Sequence, residues 1–576
     1  MADEHENVGS SDQSPETPTI TSESKGSLFK APHPGSLRMP TWETGELIDA
    51  PKFTSKNWFA MLGPGLVMGG AAIGGGEWLV GPKVTAVYGG ALLWLATLSV
   101  LGQVVYNIEI SRYTLYSGEP IFTGKFRTLP HPLFWLTAYL LFDFGSVFPY
   151  LAANAATPLA TLIKGGVIPN PEVSTADFVL MKVLAYMIFL GALVPLLFGG
   201  KIFNSLKVVM TFKIVVVFTF LMFLAVCYSN TDTWVEILTG FFKFGTVPIE
   251  SPLGTEGIKG ANLDNVFVSL AEGRGLPEID FTLIGFIAAL AAIAGSGGLS
   301  NTPVSNYTRD QGWGMGHHVG AIPSVVGGHD IQLSHVGCVF EPNEQSLPRW
   351  RRWYKHVMRD QLAVWMPACF IGLALPAMLS VQFLPYGTQT DNWSMAVMTA
   401  GGVQESVTEA SGAALGKFCW FMTILCGFLV LAPSMSTSAD GIVRRWVDVF
   451  WTSSARLRRL EPKHIKTVYF RMLCGYAIFG LVMLSLNPGD LIKYATMFFN
   501  IALGFSCWHA LAINTTLLPR ELRPNWFIRI ALSLAGVFFF LLGTIAVYQA
   551  AGFVGLFIIV GVMTVIVGAV LIAILR

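Results

Sequence analysis

Apolar stretches of roughly 20 residues or more, the length that crosses a bilayer, recur along this chain with short polar connections between them. They predict twelve spans, at about 57–88, 90–117, 132–163, 177–199, 203–228, 281–308, 361–384, 413–438, 466–486, 490–518, 526–548 and 552–575. Two of these spans are interrupted. The first carries Gly74, Gly75, Gly76 and Glu77 in its middle, and the sixth carries Gly295, Ser296, Gly297 and Gly298. Consecutive glycines do not hold a helix on propensity. In hydrocarbon, unwound backbone survives only where protein buries it or where it lines a cavity. A carboxylate inside a span is a functional-site hypothesis in its own right. Two glycine-broken spans at corresponding places in two halves are the sequence mark of a transporter's midplane site.

Composition fits this pattern. The 576 residues are 53% hydrophobic and 13% charged, where a soluble chain carries about 25% charge. Mean hydropathy is +0.55. Residues 1–56 are polar and rich in Ser, Pro and Glu, and predict a disordered cytoplasmic tail without a signal peptide. Bases gather in alternate connections: Lys125 and Arg127; Lys201 and Lys207; Arg349 to Arg359; Arg444 to Lys463; Arg520 and Arg523. The 229–280 loop is acidic, with Asp232, Glu236, Glu250, Glu256, Asp264, Glu272, Glu278 and Asp280. By the positive-inside rule both termini are expected in the cytoplasm, and the chain reads as an integral protein of the plasma or inner membrane. Spans one to five (57–228) and six to ten (281–520, with a cytoplasmic loop at 309–360) form two odd-numbered sets, which predicts an inverted repeat. The 229–280 loop is then extracytoplasmic, and 521–576 supplies spans eleven and twelve. The expected fold is an all-α polytopic membrane protein with discontinuous helices 1 and 6.

Leu62-Gly-Pro-Gly-Leu66 followed by Ala72-Ile-Gly-Gly-Gly-Glu-Trp78 resembles the first span of the NRAMP family. The likeness runs on through Leu92-Leu-Trp94 and Gln103 to Gly118, and more faintly at Ser434–Ser438 and Arg445–Asp448. It covers roughly residues 57–520 in order and spacing, and its motifs are specific in the first two spans. The resemblance implies a proton-coupled divalent-metal transporter of the five-plus-five, LeuT-like fold. The chain departs from the family at the metal ligands: Gly74 and Glu77 stand where the family has Asp and Asn. Gly295 to Asn301 stands where it has its metal-binding Met, leaving no thioether or histidine in that stretch. Oxygen ligands favour hard cations such as Mg²⁺ or Mn²⁺, with Glu77 as the metal ligand.

The expected cation or substrate site therefore joins Gly74, Gly75, Gly76 and Glu77 to Gly295, Ser296, Gly298, Ser300 and Asn301. Glu77 reads as a cation ligand or proton carrier, or as an acid that stabilises the start of a half-helix. The small residues around Gly295 also read as close helix packing. Asp143, Glu109 and Arg112 are candidates for a proton pathway, although Glu109 and Arg112 sit three apart and read first as a structural pair. Asn500 is a weaker candidate from the tenth span. His317, His318, His329, His335 and His356 lack metal-site spacing, as does Cys338, and Gly327 to His335 reads as a turn into a short strand or hairpin. The basic run Arg349 to Arg359 is expected to face anionic lipid headgroups. No Walker loop, catalytic nucleophile, cofactor motif or nucleic-acid motif occurs, so the chain does not read as an enzyme. Three functions stay open. The first is a secondary transporter of a hard divalent metal driven by H⁺. The second is a carrier of a small organic cation or zwitterion on the same fold. The third is a non-transporting membrane sensor or scaffold, which a long folded carboxy-terminal domain would favour.

Overall fold

The computed structural model describes residues 38–54, 62–198, 200–252, 258–324, 326, 331–486 and 488–575. Helices dominate, because a helix satisfies its own backbone in hydrocarbon. α1 is two half-helices, Pro64–Ala72 and Gly81–Tyr88, the second entered through a π-turn at Gly76–Val80. α2 is Trp94–Ser117, and α3 comprises Pro132–Phe142 and Tyr150–Ile163. α4 is Thr175–Leu193 and α5 is Ile202–Tyr228. α6 is again two pieces, Ile284–Ile293 and Pro303–Asp310. α7 (Ser346–Phe383), α8 (Ala413–Ser453), α9 (Ile465–Met483), α10 (Pro488–Thr516) and α11 (Trp526–Leu575) complete the bundle. The protein is an all-α polytopic membrane protein whose two five-helix sets each open on a broken helix.

Among the described residues nine helices are long and apolar enough to cross a membrane, and Pro64–Leu92 with Trp94–Ser117 adds one more as a pair bent by 96°. The twelve expected spans divide two of these stretches. The bent pair counts as α1 and α2. The 50-residue α11 counts as two, since at 1.5 Å per residue it runs about 75 Å and Gly552 leaves helical geometry within it, at φ 58°. α11 packs mainly on α10, where a Cβ at Gly504 or Gly543 would press on Phe540 or Ile501. Close approach of this kind needs small residues.

Residues 1–37 and 55–56 of the expected tail lie outside the described residues. Residues 38–54 correct that expectation, because they are packed against the bundle. Met39, Trp42 and Leu47 are buried, and β1 (Glu43–Thr44) pairs in parallel with a strand at Cys338–Val339. Trp42 Nε1 donates to Glu119 at 3.0 Å and Arg127 donates to the Pro40 carbonyl at 2.7 Å. Trp353 Nε1 donates to the Ile48 carbonyl at 2.9 Å. Composition across the segment hides three well-spaced apolar anchors. The same contacts correct part of the lipid-facing basic run: Arg349 pairs with Glu46 and Arg352 with Asp49. Of the expected strand after Gly327, residues 327–330 lie outside the described residues, and Leu333 bridges Gly320. The loop 229–280 carries a helix at Thr231–Gly240 and an antiparallel pair, Thr246–Pro248 with Leu263–Asn265.

Candidate functional site

The first break is shorter than three glycines suggested. Only Ile73 and Gly74 leave the helix, and Gly75 has helical angles (φ −65°, ψ −33°). Gly75 and Gly76 serve a different need, which is room. A Cβ on Gly75 would lie 2.7 Å from the Tyr150 ring, and one on Gly76 would run into the Ile293 carbonyl of α6. The π-turn that follows is a wide form that recurs at functional sites. Glu77 sits in its first turn, fully buried. It accepts from the Gly74 amide at 3.0 Å with one oxygen and from the Gly295 amide at 3.0 Å with the other. The first bond caps its own half-helix; the second ties the first break to the sixth.

The second break is fully unwound from Ala294 to Gly297. Gly297 has φ +65°, and a Cβ there would meet the Ala292 carbonyl, so only glycine fits. The amides released by the break are bound by Gln103 of α2. Its Oε1 accepts from Ser296 N at 3.0 Å, Gly297 N at 3.1 Å and Asn301 Nδ2 at 2.9 Å. Its Nε2 donates to the Ala294 carbonyl at 2.6 Å. Gln103 appeared in the sequence only as part of a family likeness. What marks it as a site residue is a buried amide with both donor and acceptor matched to an unwound segment, and spacing does not reveal that.

A cavity of about 50 Å³ opens between the breaks, lined by Gly74, Gly75, Gly76, Glu77, Gly295, Ser296 and Ser300. At roughly 10–15 Å³ per water centre it holds a few water-sized bodies. Glu77 is the carboxylate in this lining, and Ser146, Tyr150, Thr437 and Ser438 add hydroxyls from α3 and α8. The Ser296 hydroxyl has no hydrogen-bond partner among the described residues. Two thioethers, Met68 and Met435, also line it. The α6 stretch lacks a soft donor, as its sequence shows, but α1 and α8 supply one each.

Gly298 and Asn301 are outside the cavity lining. Gly298 packs on Phe499, and Asn301 spends its amide on Gln103. Asn500 donates to the Ala288 carbonyl at 3.0 Å and holds α10 to α6. Asp143 accepts from Arg445 Nε at 2.8 Å and Nη2 at 2.7 Å and from Trp446 Nε1 at 2.7 Å, while Arg445 Nη1 donates to the Leu299 carbonyl beside the break at 2.8 Å. Glu109 and Arg112 form the expected pair at 2.8 Å, with Tyr354 and Asn514 closing around the carboxylate. These acids are engaged in buried ion pairs rather than open to the cavity. His317, His318 and His335 make hydrogen bonds with backbone carbonyls, and no cluster of three His, Cys, Asp or Glu arranged to hold a metal occurs among the described residues.

No family model and no curated protein matches the chain. Solved structures do. The Eremococcus coleocola manganese transporter in complex with an aromatic bis-isothiourea substituted compound aligns with TM-score 0.57 at 11% identity, over 92% of this chain and 97% of that one. Two single-residue variants of the same transporter align with TM-scores of 0.57 and 0.56, at 12% and 11% identity and the same coverage. At such identity the likeness speaks for the fold. This chain therefore shares the overall fold of that manganese transporter.

Proposed function

We propose that the protein is a secondary transporter of a small cation, with a hard divalent metal of the Mg²⁺ or Mn²⁺ kind as cargo and H⁺ as the driving ion. The observation that carries this reading is Glu77, one buried carboxylate that bridges the breaks of α1 and α6 at the cavity wall. A charge in that position is costly unless it meets a cation. Oxygen donors from Tyr150, Ser296, Ser300, Thr437 and Ser438 suit a hard ion that keeps some of its water. The manganese cargo of the neighbour with this fold, and the NRAMP-like Gly-Pro-Gly-Leu start of α1, support the same class. The charge bias of the loops supports cytoplasmic termini.

A second reading keeps the fold and changes the cargo to a small organic cation or zwitterion. The cavity's apolar wall favours it: Phe148, Leu151, Ile293 and Phe499. The test is Mn²⁺ and Mg²⁺ uptake into proteoliposomes under an imposed proton gradient, wild type beside Glu77→Gln. Wild-type uptake that is lost in the variant supports the metal reading. Uptake of neither ion sinks it and turns the search to organic cations.

A further inference from the structure

We propose that Lys213 is a resident cation at the break of α1, filling a monovalent-cation site that the fold builds there, so that the protein operates without Na⁺. Ending a half-helix in mid-membrane leaves carbonyls without partners, and the negative end of its dipole points the same way. In transporters with broken helices such carbonyls hold the coupling cation. Here the first half of α1 stops at Ala72, and the Ile73 carbonyl turns toward α5 and α8. The ammonium of Lys213 stands on it. Lys213 is fully buried in mid-α5, and its Nζ donates to the Ile73 carbonyl and, at 2.5 Å, to Ser434 Oγ of α8. Ser434 also lies 3.4 Å from the carbonyls of both Ala71 and Ile73. The ammonium thus donates to one carbonyl and one hydroxyl oxygen, donor types that a Na⁺ ion also takes, and neither acceptor is a carboxylate. Packing fixes its direction. Met210 and Val217 share its buried face, and a Cβ at Gly70 would lie 2.8 Å from Met210, so α5 meets α1 without slack.

The consequence for coupling rests on the transporter reading, but the site itself does not, and its test reads binding alone. Full-length protein is purified in detergent and its thermal midpoint is measured in NaCl and in choline chloride at equal ionic strength. The wild type is expected to melt at the same temperature in both. Lys213→Ala removes the cation and leaves its oxygens facing a void. That variant is expected to melt lower in choline and to recover by on the order of 2 °C or more in Na⁺, saturably. Lys213→Met fills the void without charge and is expected to melt lower with no response to Na⁺. A saturable Na⁺ response of the wild type overturns the proposal, and so does indifference of Lys213→Ala to Na⁺. Should that variant fail to fold, Lys213→Thr, with a hydroxyl and a smaller void, takes its place under the same criterion. Failure of both to fold even in NaCl also overturns it. Metal uptake is not read, so either outcome leaves the cargo assignment where its own test puts it.

Discussion

Glu77 and Gln103 hold the site together by opposite means. Glu77 uses its two carboxylate oxygens on two amides, one in its own helix and one 218 residues further along the chain. Glu77→Asp shortens that reach by one carbon and is expected to lose one of the two bonds. Glu77→Gln keeps the reach but turns an NH₂ toward an N–H. Each is expected to cost about 1–3 kcal/mol, read as a lower midpoint in thermal unfolding. Gln103 satisfies two amides and one carbonyl of the unwound α6 segment, and the Asn301 side-chain amide just beyond it. Gln103→Leu, of similar volume, leaves these groups buried and unpaired. It is expected to destabilise by at least about 2 kcal/mol and to reduce uptake in the proteoliposome assay. Wild-type midpoints in Gln103→Leu would mean that water replaces the side chain without loss.

At the scale of the element, glycine position decides whether a helix tolerates a side chain. Gly297→Ala puts a methyl against the Ala292 carbonyl in a left-handed conformation, and is expected to abolish folding or lower the midpoint by several degrees. A Cβ added at Gly561 in α11 would meet nothing within 4 Å, and the backbone there is ordinary helix. Gly561→Ala is expected to stabilise by up to about 1 kcal/mol. The pair is checked by comparing midpoints and expression of the two variants. A second element-scale device is the cap of α1: Asp360 of α7 accepts from Gly63 N at 3.2 Å and Gly65 N at 2.7 Å. The two helices are thereby locked at one end while the breaks face the cavity at mid-membrane.

Across the whole molecule, ion pairs buried among the helices join segments far apart in sequence. Arg444 of α8 bridges Asp440 and Asp310, and Arg309 reaches Asp448, so the second half of α6 is fastened to α8. Outside the spans, Glu119 gathers Arg127, Trp42 and Tyr113 and so ties residues 38–54 to the bundle. Burial opposes its charge, yet the Arg127 guanidinium and the hydrogen bonds from Trp42 and Tyr113 hold its carboxyl below the usual carboxylate range. A depressed value means that the stabilisation is complete above the unfolded value of about 4.3 and fades as pH falls through the folded value. Glu119→Gln leaves Arg127 buried without its partner, which costs about 3–5 kcal/mol. The gap in midpoint between wild type and variant is therefore expected to be constant from about pH 6 to 8 and to narrow below about pH 4.3. A gap that is flat down to about pH 3 would show that the pair contributes through shape alone.

Hydrophobic length and local composition were sufficient to read the spans, their two interruptions, the acid in the first of them and the pairing of Glu109 with Arg112. Each is a property of neighbours along the chain: bilayer thickness sets span length, glycine runs weaken helices, and residues three apart share a face. The sequence by itself therefore determined the fold class and one half of each site contact. Tertiary structure decided the rest. It showed that Gly75 and Gly76 make room rather than unwind, that Asn301 and Asn500 brace helices outside the cavity wall, and that Trp42 and Leu47 anchor a segment that composition alone would leave free. It also supplied Gln103, Tyr150, Lys213 and Met435, whose roles depend on which helix each faces. Helix-to-helix register is set by packing between segments hundreds of residues apart, and no local pattern encodes it.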